Sequence, residues 1–277
     1  MRNHFGYIIA LLVVLCLSTA CSSPKTFIEF ENILREQGVD PSKSAILIVR
    51  LEDNQSWSYG GERIDTRFVA ASTSKIPHIF IALESEYAAG AETLFKWDGQ
   101  QRWAAGWNQN QTLAQAYARS AVWVFQEITQ ALGPNKMAMG IQMFEYGNQD
   151  TGGPDDLTTY WLNGPLKISV REQIEFLTKL YNEDFLLSQK TYLTGKDIMK
   201  AGRMDGRSAK TGWYYSDEEA DIGWYVGWQD EIRLHGDETY VFAFNMDINN
   251  RENDPPKRKK VVDAVLAKII ENVNSIP

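Results

Sequence analysis

Cysteine and histidine are nearly missing from this 277-residue chain, which holds two of the first and three of the second. Both cysteines, Cys16 and Cys21, fall at the N-terminus. A chain cut just before Cys21 therefore cannot form an internal disulfide, and it tolerates oxidising surroundings without one. His78 and His235 are the histidines beyond the leader, and with one cysteine they are too few for a zinc site of the usual Cys/His kind, so no metal is expected. The same shortage, together with the lack of a G-x-S-x-G elbow, argues against a Ser-His-Asp hydrolase. No basic run occurs either: 28 Lys and Arg stand against 36 Asp and Glu, for a net charge of −8. Binding to nucleic acid requires clustered cations to neutralise phosphates, so that class of partner is excluded. Past residue 20 no apolar stretch approaches the ~20 residues that a membrane-crossing helix takes.

What is present is an ordinary globular composition, 44% hydrophobic and 23% charged, with nine Trp, twelve Tyr and twelve Phe to build a core. The first twenty residues read as an export signal. Arg2 supplies the positive start, Ile8 to Leu17 is an unbroken apolar run, and Ser18-Thr19-Ala20 is a small-x-small cleavage pattern. A lipoprotein signal also ends at cysteine but prefers a large aliphatic residue where Ser18 stands, so release before Cys21 is favoured over lipid anchoring. Residues 1–20 are thus expected to direct export to the periplasm, and residues 21–277 to form one domain.

Along that domain, Phe27, Phe30, Ile33 and Leu34 recur at helical spacing before Gly38. Ser44 to Leu51 and Ser56 to Gly60 read as a hairpin. A helix is expected from Ser72, with Pro77 tolerated near its first turn. The middle is helix-rich: Thr112–Arg119, Val122–Leu132 stopped by Gly133-Pro134, Lys136–Tyr146, and a segment opened by the capping box Ser169-Val170-Arg171-Glu172. Strands return at Arg207–Gly212, Gly223–Gln229 and Thr239–Ile248, and a last helix carries Val261 to Ile270. Strands segregated from helices indicate an α+β fold with an antiparallel sheet. The expected division is a sheet lobe, about 27–62 and 205–277, and a helical lobe, about 63–204. A small-molecule cleft would lie between them.

Several short motifs could carry chemistry, and each has a plainer reading. Ser72-Thr73-Ser74-Lys75 puts an alcohol and an amine about one turn apart on one face, but it also suits a capping serine followed by a surface lysine. A lysine is a base only when neutral, and apolar walls favour that form. Ser120-Ala121-Val122 falls between two helical segments and serves equally as a cap. Tyr146-Gly147-Asn148 is a normal helix stop, and Trp161 a normal core residue. Lys210-Thr211-Gly212 ends a predicted strand, where a cation, a hydroxyl and free N–H groups could meet a carboxylate, with glycine letting a ligand approach the backbone. The segment Tyr214 to Asp221 is acidic and reads as a flexible, solvated hairpin tip.

Taken in order, these motifs resemble the class D serine β-lactamases, the oxacillinase family. The likeness runs from about Ser44 to Lys268 and includes Phe95-Lys96-Trp97-Asp98-Gly99, Phe144-Glu145-Tyr146-Gly147-Asn148, Gly223 to Trp228 and Asn245-Met246-Asp247. The resemblance implies the transpeptidase-like α+β fold shared with penicillin-binding proteins. It also implies hydrolysis of penicillin-type β-lactams, and hence antibiotic resistance.

By the same resemblance, Ser72 is the nucleophile and Lys75 an N-carboxylated general base. That base needs carbon dioxide or bicarbonate but no bound cofactor, and the N–H of Trp161 holds its carbamate. Ser120 passes a proton to the β-lactam nitrogen with support from Lys210. The backbone N–H groups of Ser72 and Trp213 form the oxyanion hole. Thr211 and Arg258 hold the substrate carboxylate, and Trp107, Val122, Leu162 and Gly212 complete the binding surface. Tyr146 and Asn148 are expected to shape the cleft. Ser74 departs from the family, which usually has phenylalanine there, and puts the dryness of Lys75 in question. Two alternatives share the fold: a penicillin-binding transpeptidase, and a β-lactam sensor that stays acylated. A class A enzyme would show S-D-N at positions 120–122.

Overall fold

The computed structural model describes residues 28–200, 207–231 and 236–274. The expected export signal, Cys21, the predicted helix start at Phe27 and His235 lie outside them.

The elements run α1 (Phe30–Glu36), β1 (Ser44–Arg50), β2 (Ser56–Tyr59) and β3 (Phe68–Val69), then a 3₁₀ turn (Ala71–Ser74) leading into α2 (Lys75–Glu84). They continue with β4 (Leu94–Phe95), β5 (Gln111–Thr112), α3 (Leu113–Arg119), α4 (Val122–Met143), β6 (Lys167–Ile168), α5 (Val170–Asn182) and α6 (Gln189–Lys200). The chain closes with β7 (Ser208–Tyr214), β8 (Asp221–Glu231), β9 (Glu238–Ile248) and α7 (Lys257–Asn274).

Five strands form one antiparallel sheet in the order β2-β1-β9-β8-β7. Successive strand side chains point to opposite faces, and both faces here are apolar. Ile46 and Ile48 of β1 and Tyr240, Phe242 and Phe244 of β9 share one buried cluster with Leu34 of α1 and Val261, Val265 and Ile269 of α7. Leu47, Trp224, Val226, Trp228 and Val241 face the other way, into a larger cluster built by the helices between β3 and β7. The sheet is therefore sandwiched between the terminal helices and the helical region, as the segregated order of elements predicts.

Local details differ from the sequence reading. Ser72 is not in the α-helix but in the 3₁₀ turn before it, and the helix begins at Lys75. The two helices expected on either side of Gly133-Pro134 form one run, Val122–Met143, broken at Gly133, where φ is 79°. That run ends three residues before Tyr146. Lys210-Thr211-Gly212 lies inside β7 rather than at its end, because the strand continues through Trp213 and Tyr214. The capping box read at Ser169 is formed with Glu172, and a second one, Thr112 with Gln115, which the sequence reading did not name, opens α3.

Candidate active site

The 3₁₀ turn that carries Ser72 is held from several sides. Trp224 of β8 donates its Nε1 to the carbonyl of Val69 at 3.0 Å, and the Ala70 amide donates to Leu166 at 3.1 Å. Below the turn, the Thr73 hydroxyl meets Tyr146 Oη at 2.9 Å and accepts from Gln173 Nε2 at 2.9 Å. Thr73 also donates to the carbonyl of Ala70 at 2.6 Å. Tyr146 is fully buried, and Asn148 is spent on the Pro165 carbonyl and the Lys167 amide. Neither lines the cleft, so the expectation that they shape it is corrected: they brace the turn and its neighbouring loop from beneath.

In a 3₁₀ turn, side chains three residues apart eclipse one another. That geometry places Lys75 Nζ 2.8 Å from Ser72 Oγ. Lys75 is fully buried, which overturns the surface-lysine reading. Burial lowers its pKa to about 7 because the charged form loses its water. One wall of its pocket is the Phe125 ring, with Nζ 5.1 Å from the centroid. His78, one turn further along α2, packs edge-on against Trp161 at 4.8 Å and lies 6.2 Å from Phe125. Burial, followed by the nearby Lys75, depresses His78 to a pKa of about 3 and keeps it neutral. Ser74 is buried and donates to the Ala71 carbonyl at 2.7 Å, so the small side chain there does not open Lys75 to water.

Trp161 is fully buried, yet its Nε1–H has no hydrogen-bond partner. An orphaned buried donor costs about 1–3 kcal/mol, and the residue therefore does more than fill the core. Its neighbours link it through His78 and Phe125 to Lys75. A neutral buried amine together with an unpaired donor fits a carboxylated lysine, since the carboxylate would supply the missing acceptor.

Ser120 follows α3 in the left-handed conformation, φ 59° and ψ 33°, a backbone state that is uncommon for a residue with a side chain. It shares a cleft of about 550 Å³ with Ser72 and Val122. Trp107 and Leu162 line the same space, as do Thr211, Gly212, Trp213 and Arg258. β7 is the edge strand of the sheet and runs beside the Ser72 turn. Gly212 permits the close passage: a Cβ there would sit 3.1 Å from Thr73 Cγ2 and 3.2 Å from Trp224 Cβ. Lys210 is buried, donates to the Thr211 carbonyl at 3.0 Å and lies 5.6 Å from the Tyr117 ring.

Arg258 sits in the first turn of α7 with its guanidinium buried. It donates to the carbonyls of Gly212 and Pro255 and lies 5.8 Å from the Trp213 ring. No carboxylate pairs with it among the described residues. Burial lowers its pKa to about 10, which still leaves it cationic at neutral pH. It is a buried positive charge at the wall of a cleft, placed to meet an anion.

All twelve residues proposed from the sequence thus fall in one region. Nine line the cleft, and Lys75, Trp161 and Lys210 are buried outside its lining. The sequence reading missed Phe125, His78, Trp103 and Tyr215. Phe125 lies three residues past Val122 and His78 three past Lys75, so helical spacing could have found both. Trp103 and Tyr215 carry no motif. Among the described residues no group of three or more His, Cys, Asp or Glu is arranged for a metal ion, and no helix is long and apolar enough to cross a membrane.

An alcohol beside a buried amine of lowered pKa, on a turn next to the edge strand of such a sheet, defines the class of serine acyl-transfer proteins that react with penicillins. Consistent with that class, the family model described as penicillin binding protein transpeptidase domain matches residues 39–271. Similarity to curated proteins narrows it. Beta-lactamase OXA-20 of Pseudomonas aeruginosa is 35% identical over 85% of this chain and 85% of its own. OXA-48 of Klebsiella pneumoniae is 35% identical over 87% of this chain and 90% of its own. The crystal structure of the class D β-lactamase YbXI from Nostoc superposes with a TM-score of 0.81 at 31% identity, covering 88% of this chain and 99% of that one. FUS-1 (OXA-85) of Fusobacterium nucleatum subsp. polymorphum gives 0.78 at 27% identity, covering 90% and 98%. The chain belongs to the class D β-lactamases, a family of hydrolases.

Proposed function

We propose that Ser72 opens the β-lactam ring and that Lys75, carboxylated on Nζ, serves as the general base in both halves of the cycle. The observation that carries this reading is the fully buried Lys75 Nζ, 2.8 Å from Ser72 Oγ with its pKa lowered to about 7. A substantial fraction of that amine is unprotonated near neutrality, and the unprotonated amine is the form that reacts with carbon dioxide. When carboxylated, the side chain supplies a stronger proton acceptor than an alcohol or a water can. The unpaired Nε1–H of Trp161 supports its retention.

Arg258 and the Thr211 hydroxyl hold the substrate carboxylate, and Gly212 lets the substrate lie against β7. Trp107, Val122 and Leu162 give the cleft its apolar walls. The carbonyl carbon then lies before Ser72 Oγ, and the backbone N–H groups of Ser72 and Trp213 stabilise the oxyanion. As the Oγ–carbon bond forms, the hydroxyl proton leaves to the base. As the carbon–nitrogen bond breaks, Ser120 delivers its proton to the departing nitrogen and regains one from the protonated base, with the Lys210 ammonium favouring that transfer. Water next attacks the ester and loses a proton to the base, which returns that proton to Ser72 Oγ as the Oγ–carbon bond breaks, so that both groups are regenerated.

Residues 1–20 act as the export signal, so that the enzyme meets its substrates in the periplasm and protects the cell from them. The two-lobed arrangement of one domain, residues 21–277, accords with a cleft between sheet and helices. Incubating the purified protein with a chromogenic cephalosporin, with and without bicarbonate, tests the reading. Turnover enhanced by bicarbonate and abolished by Ser72→Ala is expected, and a single stoichiometric burst would contradict it.

A further inference from the structure

A buried carboxylate outside the reacting groups pins one wall of the cleft. Asp221, the first residue of β8, is 3% exposed, although the sequence suggests a solvated acidic tip there. It accepts Trp213 Nε1 at 3.0 Å and the Ser216 amide at 2.9 Å. Arg251, from the loop between β9 and α7, grips it with two bonds, Nε to Oδ2 at 2.8 Å and Nη2 to Oδ1 at 2.9 Å. Arg251 also donates to the Ser216 carbonyl at 2.7 Å. Burial alone would raise the Asp221 pKa, but the bonds from Arg251, Ser216 and Trp213 outweigh it and hold the carboxyl below its ordinary range.

Arg251 and Arg258, from the β9–α7 loop and the start of α7, both reach the aromatic rings of the hairpin. The Arg251 guanidinium lies 5.2 Å from the Tyr215 ring. Tyr215 stacks on Trp213 with centroids 4.3 Å apart and planes 17° from parallel. Arg258 lies 5.8 Å from Trp213 on the next step of this chain of contacts. Trp213, Tyr215 and Arg258 line the cleft, whereas Asp221 and Arg251 do not. A two-bond arginine–carboxylate pair fixes orientation as well as distance. Without it, residues 215–220 would regain backbone conformational freedom.

We propose that Asp221 and Arg251 are positioning residues for substrate recognition: their pair locks Trp213 and Tyr215 in place and so sets the wall against which the β-lactam and its carboxylate dock. The proposal rests on the reading that Trp213 and Arg258 contact the substrate. The base at Lys75 lies in a separate cluster with Phe125, His78 and Trp161, and the Trp213 backbone stays paired with Gly223 of β8, so loosening the side chains of this wall weakens docking and leaves the base and the oxyanion hole in place.

The test compares Arg251→Ala, Arg251→Lys and Asp221→Asn with the wild-type enzyme by steady-state hydrolysis of a penicillin, with melting temperatures recorded alongside. The Arg251 side chain is 52% exposed, so its removal leaves a folded protein even if Asp221→Asn does not. Arg251→Ala is expected to raise KM about tenfold, on the order of one lost charge-assisted docking contact, with kcat changed less than about twofold and Arg251→Lys recovering part of the loss. An unchanged KM, with or without a lower melting temperature, would overturn the proposal, as would a defect confined to kcat. Wild-type turnover is read in the same assay, so an inactive wild type would indict the proposed function, whereas an active wild type with indifferent variants indicts only the clamp.

Discussion

His78 packs its ring edge-on against Trp161 at 4.8 Å, and each of the two leaves one ring nitrogen, Nδ1 and Nε1, without a partner. These packed rings, each with a buried unpaired nitrogen and both beside a lysine of lowered pKa, leave the Trp161 N–H without the acceptor that a carboxylate on Lys75 would supply. That juxtaposition leads to the first prediction. Trp161→Phe keeps the aromatic bulk and removes only the N–H. It should raise the bicarbonate concentration needed for half-maximal activity about tenfold, the loss of one hydrogen bond to a charged group at about 1.5 kcal/mol. Activity measured across a bicarbonate titration checks it.

Lys75→Ala should remove deacylation more severely than acylation. General base catalysis is worth about 10²–10⁴-fold, so turnover should fall by that factor while the covalent Ser72 ester accumulates. Intact-protein mass spectrometry after mixing with a penicillin reads the adduct directly.

The buried lysine also carries a stability cost whose sign can be worked out. Its folded pKa of about 7 lies below the ordinary 10.5, so between those values the unfolded chain binds more protons than the folded one. Stability therefore rises with pH through that window, and below about pH 7 the full cost of burying the ammonium is present. In buffer freed of carbon dioxide, Lys75→Met should be more stable than wild type at pH 6 by an amount on the order of a few kcal/mol. The difference should shrink as pH approaches 10.5, and denaturant melts at several pH values check it. Activity should follow the same group, declining as pH falls below about 7.

Arg258→Ala should raise KM for penicillins by about 10- to 100-fold, the worth of one charge-assisted contact at 1.5–3 kcal/mol. The guanidinium also donates to the Gly212 and Pro255 carbonyls, so its removal should lower the melting temperature as well. Steady-state kinetics and a thermal melt separate the two effects.

Much of this arrangement was legible in the sequence because it rests on local rules. The capping box at Ser169 announced α5, and the compact β-branched run from Ser44 marked β1. The ordered motifs located Ser72, Lys75, Ser120 and Lys210. What escaped depends on tertiary contact. α6 carries Gly195 in its interior, a poor helix signal. In the folded protein a Cβ there would meet Phe80 Cε1 at 2.3 Å, so the glycine allows α6 to lie close against α2. Asp221 looked like one more acid in an exposed loop, and only the distant Arg251 shows it to be an anchor. The 3₁₀ form of the Ser72 turn was equally hidden, since the sequence spacing is the same for either helix type while the packing of Thr73 on Tyr146 and Gln173 is not local.

The central claim is that the amine of Lys75 is neutral enough to hold carbon dioxide. Carbon-13 NMR of the protein equilibrated with labelled bicarbonate near pH 7.5 tests it most directly. The account predicts one carbamate resonance in the wild type that is missing in Lys75→Ala and weakened in Trp161→Phe. A wild-type spectrum with no such resonance at saturating bicarbonate, from an enzyme that still turns over penicillin, would contradict it.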